Sequence, residues 1–179
     1  MYRAAEKLSP EDLYGISLHA FIEMLEAGFT QVTEFHYIHH QAGGSPYADR
    51  TELARQVIRA AGDAGIRLTL LRVIYQQTGY RKRAPDAGQL RFRDKRLSDA
   101  LKDVEELVRD TAQNTKVRIG IAPHSVRAVH PEQLREIAQW RGRMGLPLHV
   151  HAAEQIGEIE EVREALGMRP VEVLQEAGI

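Results

Sequence analysis

The chain has 179 residues, with 24 Lys and Arg against 25 Asp and Glu, eight His and no Cys. That length suits one domain with a real core. A net charge of −1 excludes a general electrostatic hold on nucleic acid or an anionic membrane surface, and the lack of cysteine excludes disulfides, zinc ribbons and thiol nucleophiles. No apolar run approaches the roughly 18 residues of a membrane span, and the opening Met-Tyr-Arg-Ala-Ala-Glu-Lys lacks a signal-peptide core. A cytoplasmic globular protein is expected.

Ser9-Pro10-Glu11-Asp12 starts a helix, with a capping hydroxyl, proline at the first position and acids in the first turn. Leu13, Ile16, Ala20, Met24 and Ala27 continue it at helical spacing, and Gly28 stops it. Thr30 to His36 reads as a strand. Gly43-Gly44-Ser45-Pro46 turns into a second helix, capped by Asp49, faced by Leu53, Val57, Ala61 and Ala64, and ended by Gly65. Ile66 to Ile74 reads as a strand buried on both sides. A long loop leads to a helix carrying Leu97, Leu101, Val104 and Val108, and Val117 to Ala122 is strand again. Pro131 opens a helix that Gly145 closes; Leu146 to His151 is the fourth strand, and the tail from Ile156 is helical. Strands separated by helices predict an α/β fold with a parallel sheet, either doubly wound or part of a (β/α)8 barrel. No Gly-x-Gly-x-x-Gly follows a strand, which weakens a dinucleotide-binding reading.

Six of the eight histidines fall at predicted strand ends: His36, His39 and His40 after the first, His124 after the third, His149 and His151 in the fourth. Catalytic residues collect at the C-terminal ends of parallel strands. Alternation places His149 and His151 on one face, and imidazole suits a metal such as zinc. Glu154, three residues on, has the chemistry of a metal ligand or of a general acid/base beside a metal-activated water. Arg127, in Pro123-His124-Ser125-Val126-Arg127, is placed to hold a substrate carboxylate by a two-pronged hydrogen bond. It is equally well placed to cap the next helix, and spacing leaves both readings open. Between Tyr75 and Arg96 lie seven Lys and Arg against two Asp, a loop expected to hang over the same face and attract an anionic small molecule. No Gly-x-Ser-x-Gly and no Walker A motif occurs.

Three strings carry a resemblance: Glu34-Phe35-His36-Tyr37-Ile38-His39-His40, Ala122-Pro123-His124-Ser125-Val126-Arg127-Ala128-Val129 and His149-Val150-His151-Ala152-Ala153-Glu154-Gln155. In this order and spacing, over essentially the whole chain, they resemble the formimidoylglutamate deiminases of the amidohydrolase superfamily, metal-dependent (β/α)8-barrel hydrolases. The resemblance implies zinc as cofactor, with His151 its ligand from the fifth barrel strand and Glu154 the acid/base. It implies Tyr37, His124 and Arg127 as substrate-binding residues for a small dicarboxylate, and a homodimeric parent enzyme in histidine breakdown. His149 is expected to support the strand and not to ligate the metal.

The family's first-strand His-x-His pair would precede Met1, and its later His and Asp ligands would follow Ile179. The expectation is therefore an internal fragment, a partial barrel of about four strands, roughly the second to the fifth, forming one domain over 1–179. A whole barrel takes roughly 250 residues. Alone, such a piece is expected to be inactive, to bind zinc poorly and to self-associate through open strand edges. The alternatives are a deaminase of another substrate, such as a purine, and a non-catalytic fragment or binding module.

Overall fold

The computed structural model describes residues 5–81 and 87–179. Three strands, β1 (Gln31–His36), β2 (Arg67–Ile74) and β3 (Val117–Pro123), form a parallel sheet in sequence order. The register aligns Phe35 with Leu71 and His36 with Arg72, then Leu71 with Gly120 and Val73 with Ala122. Helix α1 (Pro10–Glu26) precedes β1; α2 (Glu52–Ala64) and α3 (Leu97–Thr111) cross between strands; α4 (Pro131–Met144), α5 (Ile156–Leu166) and α6 (Pro170–Ala177) follow β3. This is the α/β layering of a partial barrel, with helices on one face of a parallel sheet.

The local chemistry explains most of these boundaries. Ser9 Oγ accepts the Asp12 N–H at 3.0 Å while the Ser9 N–H donates to Asp12 Oδ2, a reciprocal cap on α1. Asp49 acts one step before α2: its Oδ1 accepts from both the N–H and the hydroxyl of Thr51, which is the residue at the cap. Gly65 and Gly145 end α2 and α4 with φ of 87° and 66°, a left-handed turn that favours glycine.

Strand alternation sorts the core into two faces. Leu68, Leu70, Ile74, Ile119 and Ile121 pack under the helices with Val57, Val104, Leu134 and Ile137. Leu71, Val73 and Ala122 point the other way and meet Phe35 and Tyr37. This second, inner face carries the candidate site.

Arg72 breaks the apolar run of β2 on the helix side. It is fully buried, and its guanidinium grips both oxygens of Asp94 at 2.7 Å, Asp103 Oδ2 at 2.7 Å and the Val73 carbonyl at 2.6 Å. Burial alone would lower its pKa, but Asp94 and Asp103 outweigh that and raise it. The strand expected to be buried on both sides is so, and it also carries a buried charge, which ties β2 to α3 and to the loop before it.

The fourth predicted strand, Leu146–His151, is shorter in pairing than expected. It joins β3 through one isolated parallel bridge, Ile121 with Leu148, and the loop after β3 through another, Ser125 with His151. The Ile121 N–H donates to the Pro147 carbonyl and the His149 N–H returns to Ile121, at 3.0 and 3.2 Å. The next donor in that rhythm would be residue 123, a proline with no N–H. The ladder therefore slips, and His151 donates to the His124 carbonyl at 3.1 Å. Among the described residues, no helix is long and apolar enough to cross a membrane.

Candidate active-site face

The inner face is built from residues that continue the strand alternation into the loops. His124 is pinned by its backbone: its N–H donates to the Ile74 carbonyl at 2.9 Å, and its carbonyl accepts from His151. The imidazoles of His124 and His151 stand 5.2 Å apart, and Phe35 lies against His151 at 4.3 Å. Tyr37 and Tyr75 approach the His124 ring edge-on at 6.0 and 5.1 Å. Desolvation, followed by the charges of His151 and Arg127, lowers the His124 pKa to about 4. The ring is neutral near neutral pH, with Nδ1 3.2 Å from Ser125 Oγ.

Arg127 and Glu154 complete the cluster. Arg127 Nη2 lies 3.3 Å from Glu154 Oε2, so the guanidinium pairs with the carboxylate of Glu154. The loop after β2 straps the segment that carries it. The Gln76 and Gln77 N–H groups donate to the Ala128 carbonyl, Gln77 Nε2 to the Arg127 carbonyl at 3.2 Å, and the Tyr80 hydroxyl to the Val126 carbonyl at 3.2 Å. Burial, then the nearby Glu161, pushes the Tyr80 phenol up to about 12, so it remains a donor.

The structure thus brings Tyr37, His124, Arg127, His151 and Glu154 to one face, and it leaves three other histidines off it. His36 alternates to the helix side, buried beside Arg72; desolvation, then the Arg72 charge, depresses its pKa to about 3. His39 Nε2 bonds the Val73 carbonyl at 2.9 Å and His40 Nε2 the Arg93 carbonyl at 3.0 Å. These rings brace the loop after β1. His149 is exposed on the His151 side of its segment, while Leu148 and Val150 pack into the core.

The basic stretch is also more committed than expected. Arg91 is buried and donates to the His40 and Leu8 carbonyls at 2.7 and 3.0 Å and to the Ala5 carbonyl. Arg93 bonds the Gln76 carbonyl, Arg96 pairs with Asp99, and Arg81 pairs with Glu164. Most of its positive charge holds chain to chain. Lys82 and Arg83 lie outside the described residues.

Phe35, Tyr75 and the Gln77–Tyr80 strap are site elements the sequence reading did not single out. For the two rings a signal existed, since both continue the Leu71–Val73 alternation or its register partner.

As a metal ligand, His151 fits one position: a solvent-accessible imidazole at the head of a strand segment, beside a carboxylate three residues on. Among the described residues, no group of three or more His, Asp or Glu could hold a metal ion.

The amidohydrolase family model matches residues 2–179. The chain belongs to the amidohydrolase family. It is 40% identical over 176 residues to the formimidoylglutamate deiminase of Pseudomonas aeruginosa, covering 98% of this chain and 38% of that relative. The crystal structure of an amidohydrolase from Brucella melitensis superposes with a TM-score of 0.90 at 38% identity, covering 99% of this chain and 39% of that one. The zinc complex of atrazine chlorohydrolase from Arthrobacter aurescens superposes at 0.79 with 22% identity, 96% of this chain and 36% of that one, which shows the shared fold. The chain thus spans under two fifths of the length of these family members.

Proposed function

We propose that this chain forms the central strands of a zinc-dependent deiminase that converts N-formimino-L-glutamate and water to N-formyl-L-glutamate and ammonia. The observation that carries the reading is the convergence of His151, Glu154, His124 and Arg127 on one open face, in a chain 40% identical to a formimidoylglutamate deiminase. Zinc is brought into the reading by the exposed imidazole of His151 and by the zinc bound in the atrazine chlorohydrolase.

His151 would be one ligand of the ion, with the others supplied from outside this chain. Bound zinc supplies a lowered pKa for water, so that a nucleophile is available near neutral pH. Glu154 accepts the proton of the attacking water as the new C–O bond forms at the formimino carbon. It returns that proton to the nitrogen, then passes on the second proton, taken from the new hydroxyl as the carbonyl forms, so that ammonia and not an amide anion leaves when the C–N bond breaks. Arg127 pairs with a glutamate carboxylate, trading Glu154 for the substrate. Tyr37 and neutral His124 stand on the same face. Holding the carboxylates away from the reacting carbon lets remote binding energy orient that carbon.

The test is Glu154→Gln in a polypeptide that extends this chain to the length of its relatives. Turnover should fall by about 10²–10⁴-fold with zinc content unchanged. Unchanged turnover would remove Glu154 from the chemistry.

A further inference from the structure

Glu158, in the first turn of α5, is only 2% exposed although it is a carboxylate. Its Oε2 accepts the Glu154 backbone N–H at 3.0 Å, while its Oε1 is buried without a hydrogen-bond partner among the described residues. A half-satisfied buried carboxylate is a costly way to end a helix, and two other helices of this chain show the ordinary solution. Asp12 in α1 and Glu172 in α6 each return from the third helical position to the N–H of the cap residue itself, Ser9 and Arg169. By that rule Glu158 would bond Gln155. It reaches one residue past the cap, to Glu154. The residue just before, Ala153, has φ of 54°, a left-handed conformation that residues with a Cβ rarely take. The contact therefore holds a turn that keeps Ala153 in this conformation, and that turn joins His151 to Glu154.

We infer that Glu158 is a positioning residue for Glu154: by fixing the 153–154 peptide it sets where the Glu154 carboxylate stands relative to His151 and Arg127. This rests on the acid/base role proposed for Glu154. Glu158 touches neither substrate nor metal. It acts through the Glu154 backbone, whose N–H its Oε2 accepts.

The experiment compares Glu158→Gln, which keeps an acceptor oxygen at the same reach, with Glu158→Met, which keeps the bulk and loses the acceptor. Both are made in the complete, zinc-loaded enzyme. Glu158→Met should lower kcat by roughly tenfold or more with KM within about twofold, because a small misplacement of the reacting group acts on the chemical step. The same variant should speed hydrogen exchange of the Glu154 amide by about an order of magnitude. Glu158→Gln should recover most of both. Wild-type kcat in Glu158→Met, or a loss that Glu158→Gln shares in full, would overturn the assignment. If the wild-type enzyme releases no ammonia from N-formimino-L-glutamate, the functional reading fails separately. The Glu154 amide then still decides: faster exchange in Glu158→Met supports the clamp, and unchanged exchange overturns it.

Discussion

Arg127 Nη2 and Glu154 Oε2 stand 3.3 Å apart, so the carboxylate clamp and the acid/base of the proposed reaction hold each other. The Arg127 side chain is 25% exposed and that of Glu154 49%, a setting in which an ion pair contributes only about 0–1 kcal/mol. A substrate carboxylate can therefore displace Glu154 from the guanidinium at little cost. Binding would then release the base next to the carbon it serves.

Replacing Arg127 by Met should raise KM by roughly ten- to a hundredfold, the worth of a charge-assisted hydrogen bond, with a smaller change in kcat. Lys should rescue poorly, because an ammonium does not present the planar fork of a guanidinium. Steady-state kinetics on the complete enzyme measures both. An unaltered KM in Arg127→Met would show that the substrate carboxylates bind elsewhere.

On the opposite side of β2, Arg72→Met would leave Asp94 and Asp103 buried beside a neutral side chain. Breaking a buried pair by removing one partner costs about 3–5 kcal/mol. Chemical denaturation should show the loss as a lower midpoint at constant slope. A midpoint matching the unsubstituted protein would mean that the two carboxylates find other partners.

The buried histidines predict acid sensitivity. Burial, then the Arg72 charge, holds the His36 pKa at about 3, and burial first of all also lowers those of His39 and His40, with Asp94 working against the shift at His40. In the unfolded chain each takes up its proton near pH 6.5. Folded pKa values below the unfolded ones give stability that is present above pH 6.5 and lost as pH falls, for His36 down to about 3. For His36 the slope is about 1.4 kcal/mol per pH unit across that window. Urea unfolding at pH 7.5 and at pH 5 isolates this window from the carboxylates, whose ordinary pKa values lie near 4. His36→Gln should flatten the dependence. Equal stability at the two pH values would contradict the neutral burial of these rings.

Most of the fold was legible because its signals are local. Ser9 and Pro10 start α1, Gly65 and Gly145 stop α2 and α4, and apolar periods mark the faces between them. The fourth strand was legible as a segment but not in its pairing, since the slip depends on Pro123 meeting its neighbour. Grouping the strand-end histidines together obscured their alternation: Phe35 and Tyr37 face inward, so His36 between them cannot. The buried Arg72 could not be read, because its partners Asp94 and Asp103 come from a loop and a helix brought together only by folding. Glu158 was hidden for a similar reason. A Glu at the third helical position looks like an ordinary cap until its hydrogen bond is seen to pass Gln155 and reach Glu154.

The most direct test is product analysis with the polypeptide extended to the length of its relatives, loaded with zinc and given N-formimino-L-glutamate, adenosine or guanine in parallel. The expected products are ammonia and N-formyl-L-glutamate in equal amounts from the first substrate, with no ammonia from the purines. Ammonia from a purine, with N-formimino-L-glutamate left intact, would contradict it.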